Sequence, residues 1–232
     1  MWILPTYCRP DRCREVLDSL VATGCSTQGV VVVNGRDAES EYRALTLPPG
    51  WTITVLAENR GFAAALNATF EQHPNEPFYG YIADDEIAST HGWDRTLIEA
   101  AGDWRIANGN DRWNSEARIQ AHVCIGGALA RAVGCLAIKQ CWHWYAFDDM
   151  WEAIHARLDL RVFCGDVRVD HRHFLNGGAF DMTYAVGGMR RNKDRVAYAT
   201  WRTEVLPQLT ERVLRLRESA FRRSNDVYRW EP

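Results

Sequence analysis

The sequence predicts an α/β fold with a mainly parallel central sheet flanked by helices and a helical C-terminal extension. Three observations predict it. Short apolar strand runs alternate with helical runs through about the first hundred residues, the pattern of a doubly wound sheet rather than a sandwich or bundle. Residues 29–33 form a continuous β-branched run, as in a strand covered on both faces. From Asp181 onward helical composition dominates, with Val205, Leu209, Val213 and Leu216 on one stripe.

Taken in order, residues 2–4 read as a short first strand ending at Pro5, and a helix opens at Pro10 and Asp11, where proline suits the first turn. Cys13, Val16, Leu17, Leu20 and Val21 then recur at helical spacing and predict one buried face. Residues 51–56 give another strand, and residues 59–70 another helix with Phe62, Leu66 and Phe70 four apart. A strand over 78–83 stops at Asp84, Asp85 and Glu86. Further on, 121–125 reads as a strand, 126–133 as a short helix, 147–155 as a helix start and 160–169 as extended chain. Two regions are expected: 1–185, and a basic helical extension over 186–232 packed on the same domain.

Composition narrows the function. A chain of 232 residues with 47% hydrophobic and 25% charged residues can bury one sizeable core. Its longest apolar run is far shorter than the roughly 20 residues of a membrane span, and its start has neither the basic residues nor the apolar stretch of a signal peptide. A cytoplasmic location is the expectation. Seven cysteines without a Cys-x-x-Cys pair indicate neither a disulfide framework nor a zinc ribbon. The net charge of −3 is uneven: residues 186–232 hold eleven Lys/Arg against six Asp/Glu, or +5, which leaves −8 on the remainder. A basic tail suits an anionic partner, but a solvated helical face is the plainer reading.

Four clusters could carry chemistry. Asp84, Asp85 and Glu86 repel one another at a strand end unless a cation or proton is bound, and their hard oxygens favour Mg²⁺ or Mn²⁺. If the strand continues, Asp84 and Glu86 share one face and Asp85 the other. His171 and His173 follow a predicted strand and could complete a metal shell. Asp148 and Asp149 open a helix, where acids ordinarily complement the dipole, but where a carboxylate could also accept an acceptor's hydroxyl proton. Asn59-Arg60-Gly61-Phe62 joins strand to helix, its glycine permitting close approach of an anion.

Together and in this order, the clusters resemble the inverting GT-A glycosyltransferases of the family 2 type over roughly residues 1–185. The most specific match is Asn59 through Asn67, which resembles the family's Asn-x-Gly-x-x-x-x-x-Asn pattern. The resemblance implies a GT-A fold, with Thr6 and Arg9 holding the nucleotide base and Asn34 standing where the family commonly has an acidic residue. Asn59, Arg60, Gly61 and Asn67 would serve the donor. Asp84-Asp85-Glu86 would be the Asp-x-Asp motif, with Asp84 on the ribose or metal-bound diphosphate, Glu86 on the metal and Asp85 as substitute. The segment from Cys124 to Leu129, with Gly126 and Gly127, resembles the turn lining the sugar and acceptor pocket. Asp149 would be the catalytic base with Asp148 in reserve, and His171, or else His173, the late metal ligand.

The implied activity is transfer of a sugar from a nucleoside diphosphate, a UDP-sugar, to an acceptor hydroxyl on a glycan, a small molecule or DNA, assisted by Mn²⁺ or Mg²⁺, with inversion. A retaining mechanism replaces it if the carboxylate pair lies remote from the anomeric carbon. One alternative acceptor is a hydroxymethylated base in DNA, with Arg190, Arg191, Lys193, Arg195, Arg215, Arg217, Arg222 and Arg223 tracking phosphates. A sugar-1-phosphate nucleotidyltransferase shares the layout, but residues 4–14 lack the glycine of a triphosphate loop. A non-catalytic nucleotide- or glycan-binding module is the remaining reading, for which the ten tryptophans could stack on sugars.

Overall fold

The computed structural model describes residues 1–113, 116–119 and 122–227. Its strands are β1 Trp2–Thr6, β2 Gly29–Val33, β3 Trp51–Val55, β4 Phe78–Tyr81, β5 Glu86–Ala88, β6 Ile106–Asn110, β7 Val123–Gly126 and β8 Arg161–His171. The helices are α1 Pro10–Ala22, α2 Glu39–Arg43, α3 Phe62–Gln72, α4 Trp93–Ala101, α5 Gly127–Val133, α6 Asp148–Leu158, α7 Met182–Thr200 and α8 Leu206–Val227. A π-helical turn, Trp201–Val205, joins the last two.

The strands form one sheet in the order β3-β2-β1-β4-β7-β6-β8-β5. β3, β2, β1 and β4 are parallel, β7 runs antiparallel between β4 and β6, and β6 is parallel to β8. Alternation along β1 sends Trp2 and Leu4 to one face and Ile3 to the other, so each face gets its own core. On one side Trp2, Leu4, Val31 and Val33 pack with α1, α2 and α4 through Leu17, Leu20, Tyr42 and Trp93. On the other, Ile3, Val30 and Val32 pack with α3, α5, α6 and α8 through Leu66, Leu129, Trp151 and Leu209.

β1 continues through Pro5 instead of ending there. Trp2 donates to Gln28 O on the β2 side, while Ile3 O accepts from Ile82 on the β4 side, so position 5 directs its missing N–H toward β4. The donor that would follow the Ile82 to Ile3 bond is the one Pro5 lacks, so the pairing with β4 stops there while the pairing with β2 runs on to Thr6. β6 escapes a sequence reading because Ile-Ala-Asn-Gly-Asn is poor in strand formers; pairing on both edges holds it extended. The strand expected over 121–125 is seen from Val123, position 121 lying outside the described residues.

The C-terminal helices differ from expectation in two ways. α7 begins at Met182 behind the N-cap Asp181, so the boundary expected at 185 falls inside a helix. The buried stripe is Trp201, Leu206, Leu209 and Val213, while Val205 and Leu216 are 45% and 44% exposed. The wider π turn inserts an extra residue and rotates everything after it relative to a uniform 3.6-residue count. All seven cysteines are unpaired. No helix of the described residues is long and apolar enough to cross a membrane.

Asp194, 1% exposed, ties α7 to the loop before α6: its carboxylate accepts the backbone N–H groups of Trp142, His143 and Trp144, each at 2.9 Å. Asp194→Ala strands three donors, and the expected cost is about 3 kcal/mol or more from the penalty for unsatisfied buried groups. Urea unfolding of the two proteins measures it, and an equal midpoint would refute the role.

Candidate functional site

β1, β2 and β4 all end on one edge of the sheet, where β1 is followed by a strand on one side and flanked by β4 on the other. Such a switch point leaves a crevice outside the carboxyl ends of the strands. Here the crevice is a cleft of about 390 Å³. Thr6 and Arg9 after β1, Asn34 after β2, Asn59 and Gly61 after β3, and Asp84 and Asp85 after β4 all line it. So do Asp148, Asp149, His171 and His173.

The loops on this edge are knitted by side chains. Asn34 Oδ1 accepts the Arg60 N–H at 3.0 Å, and Asn59 Oδ1 accepts the Gly61 N–H at 3.0 Å, which shapes the turn into α3. Gly61 has φ +90°, and a Cβ there would lie 2.7 Å from the Trp142 carbonyl oxygen. Its glycine therefore serves a left-handed turn packed against the Trp142 loop. Arg60 contributes its backbone, and its exposed side chain does not line the cleft. Asn67 lies outside the cleft as well: its amide accepts from Leu136 and Ala137 N–H at 3.0 and 3.1 Å and donates to Ala137 O at 2.9 Å. A buried amide with three backbone partners holds α3 to the chain after α5, so the second Asn of the pattern is structural here. The segment from Cys124 to Leu129 is also absent from the cleft. A Cβ on Gly126 would lie 2.4 Å from Asp103 O, and on Gly127 2.2 Å from Glu76 O, so these glycines admit neighbouring backbone.

The acidic triplet turns, and the turn separates its members. Residues 84 and 85 form the turn and Glu86 starts β5, so Asp84 and Asp85 face the cleft while Glu86 points into the interior. Glu86 is 0% exposed, accepts the Ala83 N–H at 2.8 Å and sits 2.8 Å from Nδ1 of the equally buried His122. Burial alone would lower the His122 pKa, but Glu86 outweighs it and raises it. The strand does not continue, so Asp84 and Glu86 do not share a face, and Glu86, expected on a metal, does not line the cleft.

Asp84 accepts from Thr6 Oγ1 at 2.9 Å and from Arg9 at 2.7 Å. Arg9 also makes a two-pronged contact with Asp181, at 2.8 and 2.7 Å, and lies 4.3 Å over the Tyr184 ring. Burial alone would lower the Arg9 pKa, but the Asp84 charge and the Asp181 bonds raise it. Asp85 accepts from the Tyr184 hydroxyl, and its other oxygen lies 3.4 Å from His171 Nε2. Burial would raise the Asp85 pKa, but its bond to His171 holds it below the carboxylate range. His171 is correspondingly pushed up to about 9, burial opposing and Asp85 prevailing. His173 is lowered, by burial first and by His171 next, and caps the 3₁₀ turn Phe174–Asn176.

Among the described residues no group of three or more His, Cys, Asp or Glu could hold a metal by itself. The cleft nonetheless offers a pair, Asp85 and His171, and His171 Nδ1 is buried without a hydrogen-bond partner among the described residues. One carboxylate and one imidazole are donors that would suit a Mg²⁺ or Mn²⁺.

Elsewhere in the cleft lining, Asp149 accepts from Arg118 at 3.0 Å. Asp148 has no side-chain hydrogen bond among the described residues, and its pKa is raised to about 7, by burial first and by the Asp149 charge second. The wall beside them is the aromatic run Trp142, His143, Trp144 and Tyr145, together with Thr183, Tyr184 and Arg191 of α7. His143 is lowered to about 4, chiefly by burial. Sequence reasoning missed this wall, Arg118, Asp181 and Tyr184. The dense aromatic run after Cys141 was a usable signal, whereas nothing local marks Arg118 or Asp181. Of the other tryptophans, Trp2, Trp51, Trp93, Trp151 and Trp201 are core.

No protein-family model matches the sequence, and no curated protein does. Solved structures do. A mycobacterial protein superposes with TM-score 0.57 at 14% identity, over 87% of this chain and 73% of that one. GalNAc-T7, solved with UDP, GalNAc and Mn²⁺, gives 0.56 at 8% identity, over 73% of this chain and 43% of that one. S. aureus TarS 1-349 in complex with UDP gives 0.52 at 16% identity, over 72% and 58%. This chain thus spans about half the length of the last two. The likeness is one of overall fold, and the chain has a GT-A-like fold.

Proposed function

We propose that the chain is a metal-assisted glycosyltransferase that moves a sugar from a UDP-type donor to an acceptor hydroxyl with inversion. One observation carries the reading: a single cleft at the switch point is lined by Asp85 and His171, by the Asp148–Asp149 pair, and by Thr6, Asn34 and Asn59 from the strand ends. The fold shared with GalNAc-T7 bound to UDP and Mn²⁺, and with TarS bound to UDP, supports a uridine diphosphate donor.

In this reading Thr6, Asn34 and Asn59 bind the nucleoside, and Asp85 and His171 hold Mn²⁺ or Mg²⁺. The bound ion supplies positive charge against the diphosphate. Asp148 receives the acceptor's hydroxyl proton as that oxygen bonds to the anomeric carbon, while the bond from that carbon to the diphosphate oxygen breaks and its electron pair leaves with the diphosphate. Attack from the face opposite the leaving group inverts the centre. Asp148 is preferred over Asp149 because Asp149 is engaged by Arg118, and because a pKa of about 7 suits a base that must take a proton near neutrality. The aromatic wall excludes water from the reacting atoms.

Two outcomes are expected. Asp148→Asn lowers kcat roughly 100- to 10,000-fold while UDP affinity persists, and Asp149→Asn has the smaller effect. Since a base works unprotonated, wild-type kcat/KM rises with pH and levels off above about 7; a rate that falls through that range, or an unaffected Asp148→Asn, refutes the assignment. Separately, Asp85→Asn or His171→Ala weakens Mn²⁺-dependent UDP binding by roughly 10- to 100-fold or more in calorimetry, the range known for disturbed metal shells. Glu86→Gln leaves it unchanged and costs stability instead. Loss of Mn²⁺ dependence in Glu86→Gln alone would return the ligand role to Glu86.

A further inference from the structure

Beyond the acidic floor and the donor side, one exterior surface borders the cleft. Arg191, Arg195, Tyr198 and Arg202 stand at i, i+4, i+7 and i+11 along α7 and its π turn, so they form one stripe on the helix surface. The stripe begins inside the cleft: Arg191 lines it and lies 4.8 Å over the Trp144 ring. Tyr198 stacks on Tyr145 at 5.6 Å and donates to the Asp149 carbonyl at 3.3 Å, beside the proposed base. Arg195 and Arg202 are exposed, and among the described residues none of the three arginines has a carboxylate partner. Next to the stripe, Arg190 lies 4.9 Å over Trp142, so guanidinium and indole planes alternate at the cleft mouth.

This surface takes charge in one direction only. The one acid on α7, Asp194, faces inward and is consumed by three backbone N–H groups. From Arg191 to Arg202 the stripe covers roughly 16 Å at 1.5 Å per residue. A small acceptor confined to the cleft leaves Arg195 and Arg202 without a role; a chain of regularly spaced negative charges uses all three. The aromatic residues narrow the class further, because guanidinium groups along a backbone and ring faces for flat bases together make a single-strand nucleic-acid surface. The reacting hydroxyl must also reach Asp148 within a cleft, which a base still stacked in a duplex cannot do.

We infer that the acceptor is a nucleic-acid strand, its phosphates running along Arg191, Arg195 and Arg202 and one unstacked nucleotide entering the cleft past Trp144 and Tyr145. This rests on the glycosyltransferase reading and specifies its acceptor. Fluorescence anisotropy with a labelled single-stranded oligodeoxynucleotide across a salt series tests it, with UDP and Mn²⁺ binding measured on the same wild-type protein. The expected result is binding that weakens linearly on a log–log salt plot. In Arg195→Ala/Arg202→Ala the slope should be smaller by roughly 1.4, two phosphate contacts at about 0.7 each. Both side chains are exposed, and circular dichroism verifies that the variant folds.

No binding at low salt, or an unchanged slope in the variant, overturns the inference. Equal affinity for poly(glycerol phosphate), which carries phosphodiesters without bases, overturns it in favour of a phosphate-linked glycopolymer. If UDP and Mn²⁺ bind while the oligonucleotide does not, only the acceptor assignment falls; if neither binds, the glycosyltransferase reading falls with it.

Discussion

The buried guanidinium of Arg9 is the contact on which the site depends. Moving such a charge out of water costs several kcal/mol, and the cost is met only if its donors are used and opposite charge is close. Arg9 meets both conditions by bonding Asp84 at the end of β4 and Asp181 at the start of α7, with the Tyr184 ring against its plane. These residues come from three distant parts of the chain, and the pairing brings the first turn of α7 to the sheet edge. Tyr184, fixed there, donates to Asp85, which pairs with His171 of β8. The helical extension is thereby part of the cleft, and Asp194 anchors its next turns to the aromatic loop.

Three adjacent carboxylates could not be buried together as anions without compensation. The fold gives each its own partner, Arg9 for Asp84, His171 for Asp85 and His122 for Glu86, although burial outweighs Arg9 and still raises the Asp84 pKa. The turn at positions 84 and 85 makes the separation possible, since it directs the first two side chains into the cleft and the third into the core. At the start of α6 compensation is uneven as well. Arg118 serves Asp149, and Asp148 is left half-buried and unpaired among the described residues, with a pKa near neutrality. That asymmetry between two neighbouring acids gives them different chemistry.

Much of the architecture was legible in the chain. The β-branched run of β2, the apolar spacing of α1 and α3, and the acids that stop β4 are local signals strong enough to survive any packing. β6 and the register of α8 were not, because an Asn-Gly strand depends on its two neighbours and a π turn shifts every later residue of a helical stripe. The site was legible as a set of residue types. Thr6, Arg9, Asn34, Asn59, Gly61, Asp84, Asp85, Asp148, Asp149, His171 and His173 converge on one cleft. Arg60, Asn67 and Glu86 do not line it, and their side chains look alike in sequence whether they face a ligand or a backbone amide.

By itself the sequence determined which segments could be strands or helices and where acids would gather at a strand end, since propensity, periodicity and like-charge crowding act between near neighbours. Tertiary structure decided the partner of each acid, the face that each asparagine serves and the role of the C-terminal helix as a wall. Those outcomes turn on contacts between residues such as Arg9 and Asp181, or Trp142 and Asp194, whose approach is set by the path of the whole chain.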